Sequence, residues 1–145
     1  MEFHKILIAI DSNASSEIVA KSGLQLAEQY HSEIALISIL KDEKTIDRDP
    51  ATKRELDDMM EHNFNKSQLN VIEKIFKKTP VKSFVTKGTP YKCIIDTAEK
   101  WGADIIVMGT HGRKGLPHLI LGSVAEEVIR HSKITVIVIP VIDPK

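Results

Sequence analysis

The sequence predicts a single-domain α/β fold in which a doubly wound, five-stranded parallel sheet carries helices on both faces. Five short apolar segments alternate with four segments of helical character, the order expected of strand–helix–strand crossover units. The apolar segments are nearly continuous, which is typical of strands buried on both faces of a sheet. Right-handed crossovers then place helices on both sides. With 145 residues, we expect one domain spanning residues 1–145.

The first strand, helix and second strand follow one another closely. Residues 5–10 (KILIAI) form an apolar run that ends at Asp11. Ser12 or Asn13 then caps a helix, which leads to a second apolar run at residues 34–40 (IALISIL). Because Asp11 directly follows a buried strand, we expect its side chain at the carboxyl edge of the sheet.

A long amphipathic helix separates the second strand from the third. It follows the charged segment 41–54 and closes at Pro80. Its apolar stripe has the 3.6-residue period of an α-helix. The stripe consists of Leu56, Met60, Phe64, Ser67, Val71 and Ile75.

The second half of the chain continues as strand, helix, strand, helix and strand. The three strands are residues 81–86, 104–108 and 134–139. Of the two helices, the first is opened by Gly88-Thr89-Pro90 and ends at Gly102, and the second is residues 122–131. In open parallel sheets, ligands bind beyond the carboxyl ends of the strands, where the strand order reverses. The candidate positions are therefore Asp11, Ile39-Leu40, Gly88 and the segment from Gly109 onward.

Composition limits the function classes that the chain can belong to. Hydrophobic residues make up 42% and charged residues 28% of the chain, as in ordinary globular domains. Twenty basic residues balance twenty acidic ones, which argues against nucleic-acid binding because that needs a broad basic surface. The single cysteine, Cys93, favours a reducing compartment. The first apolar run is too short for a signal peptide or a membrane span, so we expect a cytoplasmic protein without membrane insertion.

The segment after the fourth strand has the composition of an anion-binding loop. Gly109 and Gly112 let the backbone approach a ligand closely, and Gly122-Ser123 opens a helix whose free amides and positive dipole end face the same space. No acidic residue lies between positions 104 and 126. The basic residues of this loop are His111, Arg113, Lys114 and His118. By spacing alone, the glycines fit a plain turn equally well, with Ser123 as an ordinary helix cap.

Other phosphate-binding classes lose support. The chain contains neither a G-x4-G-K-S/T loop nor a G-x-G-x-x-G segment after a strand, which argues against P-loop nucleotidases and ordinary dinucleotide-binding domains. A receiver domain would need an aspartate after the third strand, but that strand ends in Thr86-Lys87-Gly88.

The full glycine pattern resembles the ATP-binding motif of the universal stress protein family. That motif is G-x2-G-x9-G-S/T, and here it is formed by Gly109, Gly112, Gly122 and Ser123. The flanking VMGTHGRKGL and LILGSVAEEVIRH are similar to the C-terminal block of the family, and KILIAID is similar to its opening strand. The resemblance spans essentially the whole chain and is least specific over residues 41–80. It implies an adenine nucleotide alpha hydrolase-like fold and a stress regulator or sensor that binds ATP, with or without Mg²⁺.

The resemblance also implies a set of nucleotide-binding residues. Asp11 would meet the ribose, and the backbone of Ile39 would pair with the adenine edge. Met108 and Gly109 would border the ribose and adenine. Gly112, Gly122 and Ser123 would hold the phosphates through backbone amides and the serine hydroxyl. His111, Arg113 and Lys114 would add positive charge. The expected set is Ala9, Ile10, Asp11, Ile39, Met108, Gly109, His111, Gly112, Arg113, Gly122, Ser123 and Val124.

Three alternatives remain open for the activity. The first is the nucleotide-dependent regulator, and the second is a dimeric interaction module of the same fold without nucleotide. The third is a weak hydrolase of ATP or a phosphate ester, with His111 or His118 as the base. Because no carboxylate cluster for Mg²⁺ accompanies the loop in the sequence, we expect slow ATP hydrolysis at most.

The last strand predicts a partner. Residues from Thr135 to Ile139 are apolar on both faces, and an unpaired apolar edge would invite aggregation. The resemblance implies that this strand pairs with its copy across a two-fold axis, so we expect a homodimer. The sequence does not identify a regulatory protein partner.

Overall fold

The predicted fold is confirmed by a computed structural model, which describes residues 2–11, 15–40, 50–110 and 121–141. Five parallel strands form one sheet with the order β3-β2-β1-β4-β5. The strands are β1 (Lys5–Ala9), β2 (Glu33–Leu40), β3 (Val81–Lys87), β4 (Ile105–Gly109) and β5 (Thr135–Ile139). The helices are α1 (Ser15–Tyr30), α2 (Pro50–Val71), α3 (Pro90–Trp101) and α4 (Ser123–His131). No helix among these is long and apolar enough to cross a membrane.

The central strand β1 shows why the apolar runs in the sequence are continuous. Ile6, Leu7 and Ile8 are all fully buried, although neighbouring side chains of a strand point to opposite faces. Ile6 and Ile8 pack in a core with α1 and the end of the α2 segment. Leu7 packs in a second core with α3 and α4. Both faces of the sheet are therefore covered by helices, as predicted.

The helix before β3 ends differently from the prediction of one regular helix up to Pro80. A π-helical turn, Ile72–Phe76, follows α2, and the Lys77 amide donates to the Ile72 carbonyl at 2.8 Å. The wider turn allows the consecutive residues Ile75 and Phe76 both to be buried, which a regular α-helical stripe does not favour. Of the predicted stripe, Val71 and Ile75 are buried. The side chains of Leu56, Met60 and Phe64 lie outside the described part.

A buried amide fastens α2 to the sheet. Gln68 is 2% exposed, and its Nε2 donates to the Ser38 Oγ at 3.0 Å and to the Phe84 carbonyl at 2.9 Å. These bonds join α2 to β2 and to the edge strand β3. The apolar periodicity of α2 gives no sign of this role. Gln68 precedes Val71 by three residues and so lies on the buried side of the helix, but it is polar and does not count toward an apolar stripe.

Replacing Gln68 with methionine tests this attachment. The substitution keeps a long side chain but leaves the Ser38 hydroxyl and the Phe84 carbonyl without their donor. We expect a loss of about 1–3 kcal/mol in the free energy of unfolding, measured by urea denaturation. Asn70→Met, at an exposed position of the same helix, is the matched control and changes stability by less than about 0.5 kcal/mol. Equal stability of the two variants would contradict the assigned role.

Helix α1 passes unusually close to β1 at Gly23. A Cβ atom built on Gly23 would lie 2.3 Å from Cδ1 and 2.7 Å from Cγ1 of Ile8, and Ile8 is fully buried. Because Ile8 is β-branched and enclosed, its side chain has little freedom to move aside.

Gly23→Ala therefore separates two opposing effects. Alanine in place of glycine inside a helix normally stabilises by about 0.5–1 kcal/mol. Here we expect a loss of about 1–3 kcal/mol from overpacking, measured by urea denaturation. Gln25→Ala, at an exposed position of α1, is the control and stays close to wild type. A Gly23→Ala protein as stable as wild type would show that α1 can move away from β1.

Candidate functional site

The strand order creates a crevice at the carboxyl edge of the sheet. The chain proceeds from β1 to β2 and β3 on one side, and β4 and β5 lie on the other side of β1. The order therefore reverses between β1 and β4, where parallel sheets bind their ligands. The last β1–β4 pair is Ile8↔Val107. Ala9 and Met108 follow this pair and flank the opening.

Four of the sequence-predicted site residues contribute to one apolar wall. Met108 is buried in the core beneath α3 and α4, and Ala9, Ile39 and Val124 pack against that core. The structure thus brings residues from β1, β2, β4 and α4 to the same face of the sheet. Ile10 differs, because it is buried in the opposite core and its amide donates to the Ile37 carbonyl at 3.0 Å. Its side chain and amide are committed to the fold.

The backbone of Ile39 faces the crevice. The Ile37 carbonyl accepts from the Ile10 amide, and the Leu40 carbonyl accepts from the Gly88 amide at 3.0 Å. Backbone groups alternate along a strand, so those of Ile39, like those of Ile37, point toward β1. The last β1–β2 pair is Ala9↔Ile37. The Ile39 N–H and C=O therefore lie beyond the paired part of β1, as a donor beside an acceptor.

Asp11 is held in place through its own backbone. Its amide donates to the Ser16 Oγ at 3.1 Å, and the Ser16 hydroxyl donates to its carbonyl. Ser16 is 4% exposed in the first turn of α1, while Asp11 is half-buried. The structure places this carboxylate-bearing residue two positions after the end of β1, because β1 is one residue shorter than predicted. The role of Ser16 was not predicted, because a serine in a first helical turn is usually read as a local cap.

The first turn of α4 supplies amides at the same edge. Gly122 is the N-cap, and its carbonyl accepts the first intrahelical bond from Glu126 at 3.0 Å. The amides of Ser123 and Val124 precede that bond, so they have no acceptor within the helix. They point out of the helix N-terminus together with its positive dipole end. Such a terminus is suited to an anion.

The Gly122 amide has a different partner from the one expected. It donates to the Thr110 carbonyl at 2.6 Å, because Gly122 is the N-cap rather than a first-turn residue. The amides at the helix start that lack an intrahelical acceptor are therefore those of Ser123 and Val124. The assignment of Gly122 to the binding residues stays a prediction, as does that of every other residue in the expected set.

Thr110 lies beside the candidate site but is absent from the predicted set of residues. Its amide donates to the Ile139 carbonyl at 3.0 Å, and its Oγ1 accepts from the Val141 amide at 3.0 Å. With the bond from Gly122, it joins the ends of β4 and β5 to the start of α4. Thr110 lies between Gly109 and Gly112 in the sequence, and the motif specifies these glycines but leaves the residue between them open.

The acidic residue closest in sequence to the helix N-terminus is paired. Glu126 lies in the first turn of α4, and its Oε1 is 2.8 Å from Nη2 of Arg130. This i, i+4 pair reduces the repulsion that Glu126 would exert on an anion. Within the described ranges, no three His, Cys, Asp or Glu side chains cluster as a metal site. His111, Gly112, Arg113, Lys114 and His118 lie outside the described residues.

Comparison with known proteins gives consistent matches over nearly the whole chain. The model of the universal stress protein family matches residues 2–140. Universal stress protein MJ0531 of Methanocaldococcus jannaschii is 30% identical over 139 residues, which cover 94% of this chain and 82% of that protein. Universal stress protein MJ0577 of the same organism is 28% identical, with 94% of each chain covered.

Solved structures agree with these matches. The structure of MJ0577 superposes with a TM-score of 0.84 at 28% identity and covers 99% of this chain and all of that one (100%). The universal stress protein UspA of Lactobacillus plantarum gives a TM-score of 0.80, with 96% of this chain and 99% of that chain covered. Its 19% identity supports the fold alone.

Proposed function

The chain belongs to the universal stress protein family, and from this premise we propose that it binds an adenine nucleotide, ATP, as a regulator or sensor. The observation that carries the proposal is the position of two sets of backbone groups. The Ile39 N–H and C=O face the crevice on one side, and the α4 N-terminus lies at the end of β4 on the other side.

The β2 side of the crevice fits a purine. The Ile39 N–H and C=O offer an adjacent donor and acceptor, and adenine carries a matching acceptor and donor on its N1–N6 edge. The partly buried side chains of Ala9 and Ile39 offer apolar surface against which a planar ring can pack. Backbone recognition does not depend on the identity of the side chain, which explains why an isoleucine can serve at this position.

The β4 side fits phosphates. The Ser123 and Val124 amides and the exposed Ser123 hydroxyl present donors at the positive end of the α4 dipole. Asp11, at the end of β1 between the two sides, is suited to accept hydrogen bonds from ribose hydroxyls. Base, sugar and phosphates therefore each have a matching group along the edge of the sheet.

Binding, rather than catalysis, is the proposed role. The groups that support it are mainly backbone amides and carbonyls, which hold and orient a ligand without exchanging protons. When Mg²⁺ accompanies ATP, it neutralises part of the phosphate charge, and Asp11 is the described carboxylate best placed to assist. A universal stress protein solved in complex with cAMP has a TM-score of 0.63 to this chain at 16% identity. That complex supports the capacity of the fold to hold an adenine nucleotide.

Cytoplasmic location, compatible with the free thiol of Cys93, is part of the proposal.

Two substitutions at Ser123 separate its amide from its hydroxyl. Ser123→Ala removes only the hydroxyl. Ser123→Pro also removes the amide, and proline is well tolerated at the first position of a helix. By calorimetric titration, we expect Ser123→Ala to weaken ATP binding about 2- to 10-fold and Ser123→Pro to weaken it at least about 10-fold more. The further loss is expected because the amide would donate to a charged phosphate, and charge-assisted hydrogen bonds are stronger than neutral ones.

Ser83→Ala, at an exposed position of β3, is the control and binds ATP like wild type. A wild-type protein that binds no ATP at millimolar concentration would refute the proposed function. Such a protein would favour the interaction module without nucleotide. Full affinity in Ser123→Pro would instead show that the phosphates lie elsewhere.

We further propose that β5 pairs with its copy in a homodimer. β5 is an edge of the described sheet, and Val136 to Ile139 are only partly buried. Ile139 directs its carbonyl to Thr110 beside β4. By alternation, the backbone groups of Val136 and Val138 point outward. This open apolar edge is suited to pairing with another strand.

Val138→Pro tests the strand pairing directly. It removes an outward-pointing amide and leaves the bonds between β5 and β4 in place, and proline is tolerated in edge strands. We expect Val138→Pro to sediment as a monomer at micromolar concentrations at which wild type is dimeric. Val138→Ala shortens the same side chain but keeps the amide, so it stays dimeric. A monomeric wild type would exclude the proposed dimer.

A further inference from the structure

Thr110 connects three elements through three different groups. Its amide donates to the carbonyl of Ile139, the last residue of β5, and its Oγ1 accepts from the Val141 amide. Its carbonyl accepts from the amide of Gly122, the N-cap of α4, at 2.6 Å. One residue therefore holds the end of β5 and the beginning of α4 against the end of β4.

The hydroxyl bond fixes the orientation of the residue. Pro140 has no N–H to donate, so Val141 is the first residue after β5 that can donate a backbone bond. The χ1 angle of threonine is restricted by β-branching. With Oγ1 held by Val141 and the amide held by Ile139, the Cα, the Cβ and hence the carbonyl carbon of Thr110 are held in place. Rotation about the Cα–C bond is the remaining freedom of the carbonyl oxygen, and the bond from the Gly122 amide restricts it.

From this geometry we propose that Thr110 is a positioning residue for the anion-binding end of α4. The Ser123 and Val124 amides serve a ligand only when the helix start is correctly oriented, and the Thr110–Gly122 bond sets that orientation. The bond between Val141 and the Thr110 hydroxyl in turn holds Thr110 in the position from which its carbonyl reaches Gly122. Phosphate affinity therefore depends on a contact made beyond the end of β5. This inference rests on the proposed function, which supplies the nucleotide.

A double-mutant cycle on the Thr110–Val141 bond tests the proposal. Thr110→Val removes the hydroxyl at almost constant shape, and Val141→Pro removes the amide that donates to it. We expect each variant to weaken ATP binding about 3- to 10-fold. The double variant should bind ATP with no lower affinity than the weaker-binding single variant, because both changes break the same bond.

Matched variants separate positioning from general destabilisation. Thr110→Ser keeps a hydroxyl and restores ATP affinity to near that of wild type. Thr89→Val is the same substitution at the same edge of the sheet, at an exposed N-cap whose side chain makes no capping bond, and it leaves affinity unchanged. The proposal would be overturned if the losses of ATP affinity in Thr110→Val and Val141→Pro multiplied in the double variant. It would also be overturned if the two single variants bound ATP as tightly as wild type.

A second measurement does not depend on the nucleotide. Hydrogen exchange of the Gly122 amide, followed by NMR, reports the bond to the Thr110 carbonyl. We expect Thr110→Val and Val141→Pro each to accelerate this exchange about 3- to 10-fold, while Thr110→Ser does not. Unchanged exchange would overturn the positioning role even if ATP binds. Accelerated exchange in a protein that binds no ATP would uphold the role and refute only the proposed function.

Discussion

The shortness of the central strand is the constraint on which the rest of the site depends. β1 ends at Ala9, while its neighbour β2 runs on to Leu40 and β4 ends with Gly109. The last β1–β2 pair is Ala9↔Ile37, so β2 extends past its partner with backbone groups directed at the gap. A longer β1 would pair with Ile39 and close the crevice. The bonds between Ser16 and the Asp11 backbone hold the chain in place just after that strand ends.

The sheet was predictable because its physical signature is local. Strands buried on both faces must be apolar at nearly every position. In β1, Ile6 and Ile8 pack in one core and Leu7 packs in the other. Each predicted strand lies within one residue of its observed bounds. The candidate positions at the strand ends follow from the same reasoning, since parallel strands bring their carboxyl ends to one edge.

The features that escaped prediction depend on distant partners. The π-helical turn allows the consecutive residues Ile75 and Phe76 both to be buried, and the regular period of the stripe does not predict this. Gln68 finds its acceptors on β2 and β3, and Thr110 finds its partners after β5 and at the start of α4. A period or a motif describes a residue and its near neighbours along the chain, so contacts between separate elements stay hidden from it.

Selectivity for an anion in this fold need not come from the net charge of the chain, which is zero. It can come from oriented backbone groups, whose dipoles are fixed by the bonds that orient them rather than by pH. In the proposed positioning role, the bond from Gly122 to Thr110 orients the amides of α4, and Thr110 is itself bonded to the residues that end β5 and follow it. Because α4 leads directly into β5, the helix that faces the crevice and the strand at the sheet edge are joined twice, once by the chain and once through Thr110. A partner strand that stiffens this edge would therefore also stiffen the start of the helix. The order of the sheet edge and the order of the proposed binding site are in this way coupled.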